Sequence, residues 1–283
     1  MILGAGLSSL PFMNSSGDII FFFYLLARVG GLFLVAPLLS NKAMTTTLRI
    51  FLTVMTTALL AMVLYPEYRG PTPTFILGEL TDESSASMLL LTLTLVKELS
   101  IGFLIGFAFI IIYEATLLAG QVIGVMMGFS ITEILDPVSN VSQGLLGQMF
   151  SLGATLVIIS LDLHHQFLRV LSESFTVLPL GQYHLPYEML QTVTHGTGRL
   201  FQYGFKIAAI PFTVIGLVTV ALGFMAKVMP EMNIFMVAFP LRIFVGYYAL
   251  LISMSFFPQV LRQAFVEFNN LAVLFVKHLA SGS

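Results

Sequence analysis

The 283-residue sequence contains no cysteine and no tryptophan, and only 9% of it is charged. Without cysteine there can be no disulfide, no thiolate metal site and no cysteine nucleophile, and the five histidines are too scattered to take over those roles. Twelve basic and 14 acidic residues leave a net charge of −2. That balance offers no basic surplus to meet phosphates, so a nucleic-acid partner is excluded. An ordinary globular protein is roughly a quarter charged, and so few charges cannot cover a particle of 31.0 kDa in water. His-Glu-x-x-His, Gly-x-Ser-x-Gly and Gly-x4-Gly-Lys are all missing, which leaves no enzyme signature and no cofactor motif.

The sequence is instead 57% apolar, so most of the surface must face lipid or other protein, and the chain reads as an all-α protein of the integral-membrane type. Its first basic residue, Arg28, already lies inside the apolar run that begins near Ile19, unlike a signal peptide, whose positive charge precedes the apolar stretch. Runs long enough to span about 30 Å of hydrocarbon lie at Ile19 to Leu39, Leu48 to Tyr65, Met88 to Met127, Leu145 to Leu161, Leu200 to Ala226 and Ile234 to Phe257. Phe167 to Leu180 and Val260 to Leu279 are shorter or more amphipathic. The breaks between them are too short to hold a soluble domain, so residues 1–283 read as one helical unit. The Met88 to Met127 run has no proline and would be about 60 Å long as one helix. It either folds into a hairpin near Tyr113 and Glu114 or extends well beyond a bilayer. Lys42 and Arg49 favour a cytoplasmic side for the Asn41 to Thr47 connection.

Two kinds of residue stand out inside the apolar runs. Gly102 and Gly106, and then Gly120, Gly124 and Gly128, recur every four residues and so share a helix face on which another backbone can approach closely. Arg28, Lys97, Glu98, Glu114, Lys206 and Arg242 are ionisable, and each needs a partner or a hydrated interior. Lys97 and Glu98 point about 100° apart on a helix and do not satisfy each other. Interhelical ion pairs or subunit contacts explain such charges, and a conducted ion is the alternative. Between the glycine helix and the next apolar run, Gly128 to Gly144 combines Phe129, Ile131, Ile134, Leu135 and Val138 with the Asp136-Pro137 break. A loop this apolar is tolerable only when buried in protein or lining a cavity, as a buried connector or as a gating element. Asp162, His164 and His165 are set aside as a metal site, because adjacent histidines diverge on a helix and no further ligand stands at helical spacing.

Lys97-Glu98-Leu99-Ser100-Ile101-Gly102, then Ala119 to Phe129 with Gly120, Gly124 and Gly128, then Leu135-Asp136-Pro137, resemble the FliR family of flagellar type III export-gate proteins. Arg28 with Pro37, Phe175 to Gly181, and Pro230 to Phe235 leading to Phe239-Pro240-Leu241 agree in order, so the resemblance runs from Phe21 to Phe268. The injectisome proteins SpaR, YscT and EscT share the glycine run and the Asp-Pro loop. The Met-Asn-Ile-Phe stretch before Phe-Pro-Leu looks flagellar, and an acidic stretch at Thr81 to Ser85 departs from the pattern. The resemblance implies bent, obliquely stacked helical hairpins, with a FliP-like part over about 1–199 fused to a FliQ-like part over 200–283. It implies FliP-like and FliQ-like partner subunits, with FlhB-like and FlhA-like components beside them. It further implies a place in the bacterial inner membrane at the flagellar basal body, unfolded proteins as export substrates, and a plug formed by the Gly128 to Gln143 loop. A self-contained transporter or ion channel using Lys97, Glu98, Lys206 and Arg242 is the alternative, and such proteins show an internal repeat that is not evident here.

Overall fold

The structure, a computed structural model, describes residues 16–36, 45–68, 85–129, 144–181, 187–231 and 233–281. Among the described residues the fold is all-α, with seven helices and no strand: α1 Ser16–Val35, α2 Thr46–Tyr68, α3 Ser85–Met127, α4 Leu145–Ser160, α5 His164–Val177, α6 Tyr187–Val228 and α7 Ile234–Ser281. Five of them are long and apolar enough to cross a membrane, or six crossings if α4 and α5 count together as one.

The long apolar run of α3 does not turn back at Tyr113 and Glu114. It is one helix of 43 residues, uninterrupted because no proline or helix-stopping glycine motif occurs before Gly128. α7 joins two runs that the sequence separates. It continues through Pro240 and Pro258 for 48 residues, since a proline removes one backbone hydrogen bond and kinks a helix, while packing on neighbours sustains the turns on either side. α6 likewise begins at Tyr187, well before its strongly apolar part, and passes through Pro211.

Two compact units divide the chain. One holds the described residues of Met1–Ile110, His165–Thr192 and Asn269–Ser283, the other Ile111–His164 and Val193–Phe268. In the first unit, α5 shows the usual logic of an amphipathic helix. Phe167, Val170, Leu171, Ser174 and Phe175 are buried at helical spacing, while Arg169 and Glu173 pair at 3.6 Å on the exposed side. Leu25, Val29, Leu32, Ile101, Ile105, Phe109 and Phe275 of the same unit are also buried, with the Phe109 and Phe167 ring centres 4.4 Å apart. In the second unit, Ile112, Ala115, Ala119, Ile123, Phe150, Ala154, Ile207, Phe257, Leu261 and Phe265 form the core, with Phe150 and Phe257 edge to face at 5.6 Å.

Candidate functional site

In the first unit α1 and α3 touch backbone to backbone. A Cβ on Gly102 would collide with the Arg28 carbonyl oxygen, and one on Gly31 with the Leu99 carbonyl oxygen, while at Gly106 it would lie 3.1 Å from the Leu32 oxygen. Small residues permit this approach, and it brings the flanking turns of both helices into side-chain range. Arg28 and Glu98 sit on those turns, both fully buried, with Arg28 Nε donating to Glu98 Oε2 at 2.7 Å.

The guanidinium does more than pair. One terminal nitrogen donates to the Ser174 carbonyl at 3.0 Å and both donate to the Leu178 carbonyl at 3.2 Å. The Leu178 carbonyl lies just beyond the last turn of α5, where the helix leaves carbonyls without an internal partner, whereas the Ser174 carbonyl also accepts the Leu178 N–H at 3.0 Å; a cation there complements the helix dipole. The guanidinium carbon lies 4.4 Å from the Phe175 ring centre. Glu98 uses its other oxygen to accept the Gly181 N–H at 2.8 Å. Gly181 has φ +78, which a side-chain-bearing residue rarely adopts. A charged clamp therefore ties α1, α3 and the end of α5 together, with both partners of the pair on one chain. Lys97 and Glu114 lie half-buried on the same α3.

In the second unit the C-terminal part of α3 packs on α4 through Gly120, where a Cβ would fall 2.6 Å from the Gly147 Cα, while Gly124 meets Leu146 at an ordinary 3.9 Å. α3 then stops in a glycine-based cap. Gly128 adopts φ +91, its N–H donates to the Val125 oxygen, and the Phe129 N–H donates to the Gly124 oxygen, the two bonds of a Schellman motif. The Phe239 ring of α7 closes over Gly128, 3.1 Å from where a Cβ would stand. So Gly128 and Phe129 form the fixed start of the apolar segment; Ile131, Ile134, Leu135, Asp136, Pro137 and Val138 lie outside the described residues.

A polar cluster between α6 and α7 in this unit is only partly visible from sequence. Arg199 pairs with Glu267 at 2.6 Å with both side chains partly exposed, the Tyr203 hydroxyl donates to the same carboxylate, and Lys206 Nζ donates to Gln263 Oε1 at 3.1 Å. Arg199 and Glu267 escape a sequence reading because Arg199 precedes the strongly apolar part of α6 and Glu267 stands in the amphipathic run from Val260 to Leu279, where a charge reads as part of a polar face. Arg242, half-buried, keeps an Nε without a hydrogen-bond partner among the described residues. Asp162, His164 and His165, set aside above for want of convergence, place their donor atoms within 4.8 Å of one another. The reason is that Asp162 leaves the helix: it is the left-handed cap residue of α4, at φ +53, with Leu163 N–H bonded to the Ile158 oxygen.

Nothing in these clusters lines up a nucleophile with a base. Their contacts are ion pairs, hydrogen bonds and close approaches between helices, and along most of its length the chain is similar to known proteins. A flagellar biosynthetic protein FliR of Escherichia coli is 26% identical over 91% of this chain and 93% of its own length. That of Pectobacterium carotovorum is 25% identical over 92% and 94%, and that of Bacillus subtilis 29% identical over 60% and 66%. Residues 19–268 match the family described as bacterial export proteins, family 1, and with that match covering most of its length, the chain belongs to this family as a FliR-type member.

Proposed function

We propose that this chain is the FliR-type subunit of a flagellar type III protein export gate, a non-enzymatic component that, with FliP-like and FliQ-like subunits, encloses the channel through which unfolded flagellar proteins leave the cell. The chain is a membrane-type helical protein of a bacterial export family whose relatives are flagellar biosynthetic proteins. The observation that supports this reading is the family match over residues 19–268, a range that takes in the glycine faces, the Arg28–Glu98 clamp and the Gly128 cap together.

Within that reading, residues up to about 199 form the FliP-like part and 200–283 the FliQ-like part, the gate sits in the inner membrane at the basal body, and FlhB-like and FlhA-like components stand beside it. The segment from Gly128 to Gln143 plugs the channel entrance. Its support is the fixed cap at Gly128 and Phe129, from which an apolar segment with an Asp136-Pro137 break can be displaced by an arriving polypeptide at a cost of a few kcal/mol. Deleting Ile131 to Val138 is expected to leave the complex assembled but leaky to ions and small solutes in cells that are not exporting. An assembled deletion variant as tight as the intact chain would return the segment to the role of a buried connector.

A further inference from the structure

We propose that Asp162, His164 and His165, at the turn from α4 into α5, bind a divalent transition-metal ion, with zinc as the best fit. Among the described residues this is the one group of three such side chains whose ligand atoms all lie within 4.8 Å of one another. Bonds of about 2.1 Å from a tetrahedral zinc ion put its ligand atoms about 3.4 Å apart. Small rotations of the three side chains about their own bonds close that gap.

Two features of the turn produce the convergence. α4 ends at Ser160 and Asp162 takes φ +53, with the Leu163 N–H returning to the Ile158 oxygen at 3.0 Å. This left-handed step breaks the helical path, so the carboxylate is no longer held at helical spacing from the two histidines that open α5. Glycine takes such a conformation at no steric cost, whereas aspartate brings a carboxylate to the turn. The second feature is the imidazole itself. Its two nitrogens differ in reach, so neighbouring rings whose Cβ atoms diverge still offer one nitrogen each to a common point.

The donor set decides the class of ion. Two imidazoles and one carboxylate match zinc and its transition-metal neighbours, whereas calcium and magnesium take about six or more ligands, nearly all of them oxygen. Three protein ligands leave the fourth tetrahedral position to water, as in an open zinc site. Asp162 and His165 are exposed and His164 is half-buried, so an ion enters from solvent without unfolding the turn. The carbonyl end of α4 favours a cation there and the N–H end of α5 opposes it. These dipole effects are of like size and offset each other, which leaves the ligands to decide. Arg169, the nearest cation along α5, is paired with Glu173 at 3.6 Å, so its repulsion is partly neutralised. Once bound, the ion ties Asp162 to the first turn of α5 and stabilises the chain by mass action.

The test uses the full chain, with whatever subunits purify with it, carrying a tag free of histidine and stripped of metal by a chelator. Zinc is titrated in competition with a chromophoric chelator, and cobalt(II) in its place reports the coordination geometry through its visible absorption. Asp162→Gly removes the carboxylate while accepting the left-handed backbone, and His165→Gln removes one imidazole. His195→Gln changes an exposed histidine on α6 and is the control. The expected result is one competed zinc per chain, weakened at least about tenfold by Asp162→Gly and by His165→Gln and unchanged by His195→Gln, since even changes behind the ligands typically cost 10–100-fold. The tetrahedral cobalt spectrum is expected to disappear in the same two variants. Zinc that binds equally to all four proteins, or that the chelator removes from all four, would overturn the proposal and leave an ion-free contact between aspartate and histidine. A monodisperse elution peak shows that each variant is folded; if Asp162→Gly is not, Asp162→Asn, which tolerates the same backbone, decides in its place.

Discussion

Removing one half of the Arg28–Glu98 clamp should be far worse than removing both. Arg28→Met leaves the Glu98 carboxylate buried with only the Gly181 N–H and strips the α5 end of its donors. Glu98→Met leaves the guanidinium charge buried with carbonyls and no counter-ion. Breaking a fully buried pair from either side costs about 3–5 kcal/mol, a large part of the 5–15 kcal/mol that typically holds a domain folded. The double variant Arg28→Met/Glu98→Met carries no stranded charge. It does orphan the Leu178 carbonyl and the Gly181 N–H, at about 1–3 kcal/mol each, whereas the Ser174 carbonyl still accepts the Leu178 N–H at 3.0 Å. The double change is therefore expected to cost about as much as one single change and several kcal/mol less than their sum. The assay is the temperature at which a fluorescently tagged chain loses its monodisperse elution peak, with the amount of folded chain recovered per cell as a second readout. Strictly additive losses would show that the two side chains do not act on each other and would refute the clamp.

The glycines give substitutions of opposite sign. Gly102→Ala and Gly120→Ala drive a methyl into backbone and are expected to cost at least the ~1–3 kcal/mol of overpacking. Gly223→Ala meets nothing within 4 Å and should gain up to about 1 kcal/mol of helix propensity, and Gly124→Ala should be close to neutral or better. Thermal stability of the four variants at equal expression decides this, and a uniform effect would mean that close approach is not what the glycines serve. Tyr203→Phe removes the hydroxyl that donates to Glu267 while the Arg199 pair remains, so a loss of about 1 kcal/mol or less is expected in the same assay; a loss as large as that from Glu267→Ala would place the main contact at Tyr203.

Composition alone made the class of the molecule legible, because 9% charge in 283 residues leaves few foldable alternatives to buried or lipid-covered helices. Gly102 and Gly120 were legible from their four-residue spacing. Gly31 was not, since its partner, the Leu99 backbone, lies far along the chain and its neighbour Gly30 has open space around it. Arg28 and Glu98 each announced a need for a partner, but a separation of 70 residues hid that each is the other's. The helix ends misled in one place, where Pro258 reads as a break and is carried inside α7. The left-handed cap at Asp162 was likewise invisible, as aspartate tolerates that conformation without requiring it, and it changes where the neighbouring histidines point.

The central claim is that this chain works as one subunit of a helical export gate. Its most direct test is to purify the tagged full chain from flagellated cells in mild detergent and identify what comes with it. The account predicts a stable complex with small hydrophobic FliP-like and FliQ-like subunits in fixed ratio, and loss of flagellar protein export when the chain is removed. A monodisperse, fully helical monomer whose stability is unchanged by those subunits, from cells that export normally without it, would contradict the account.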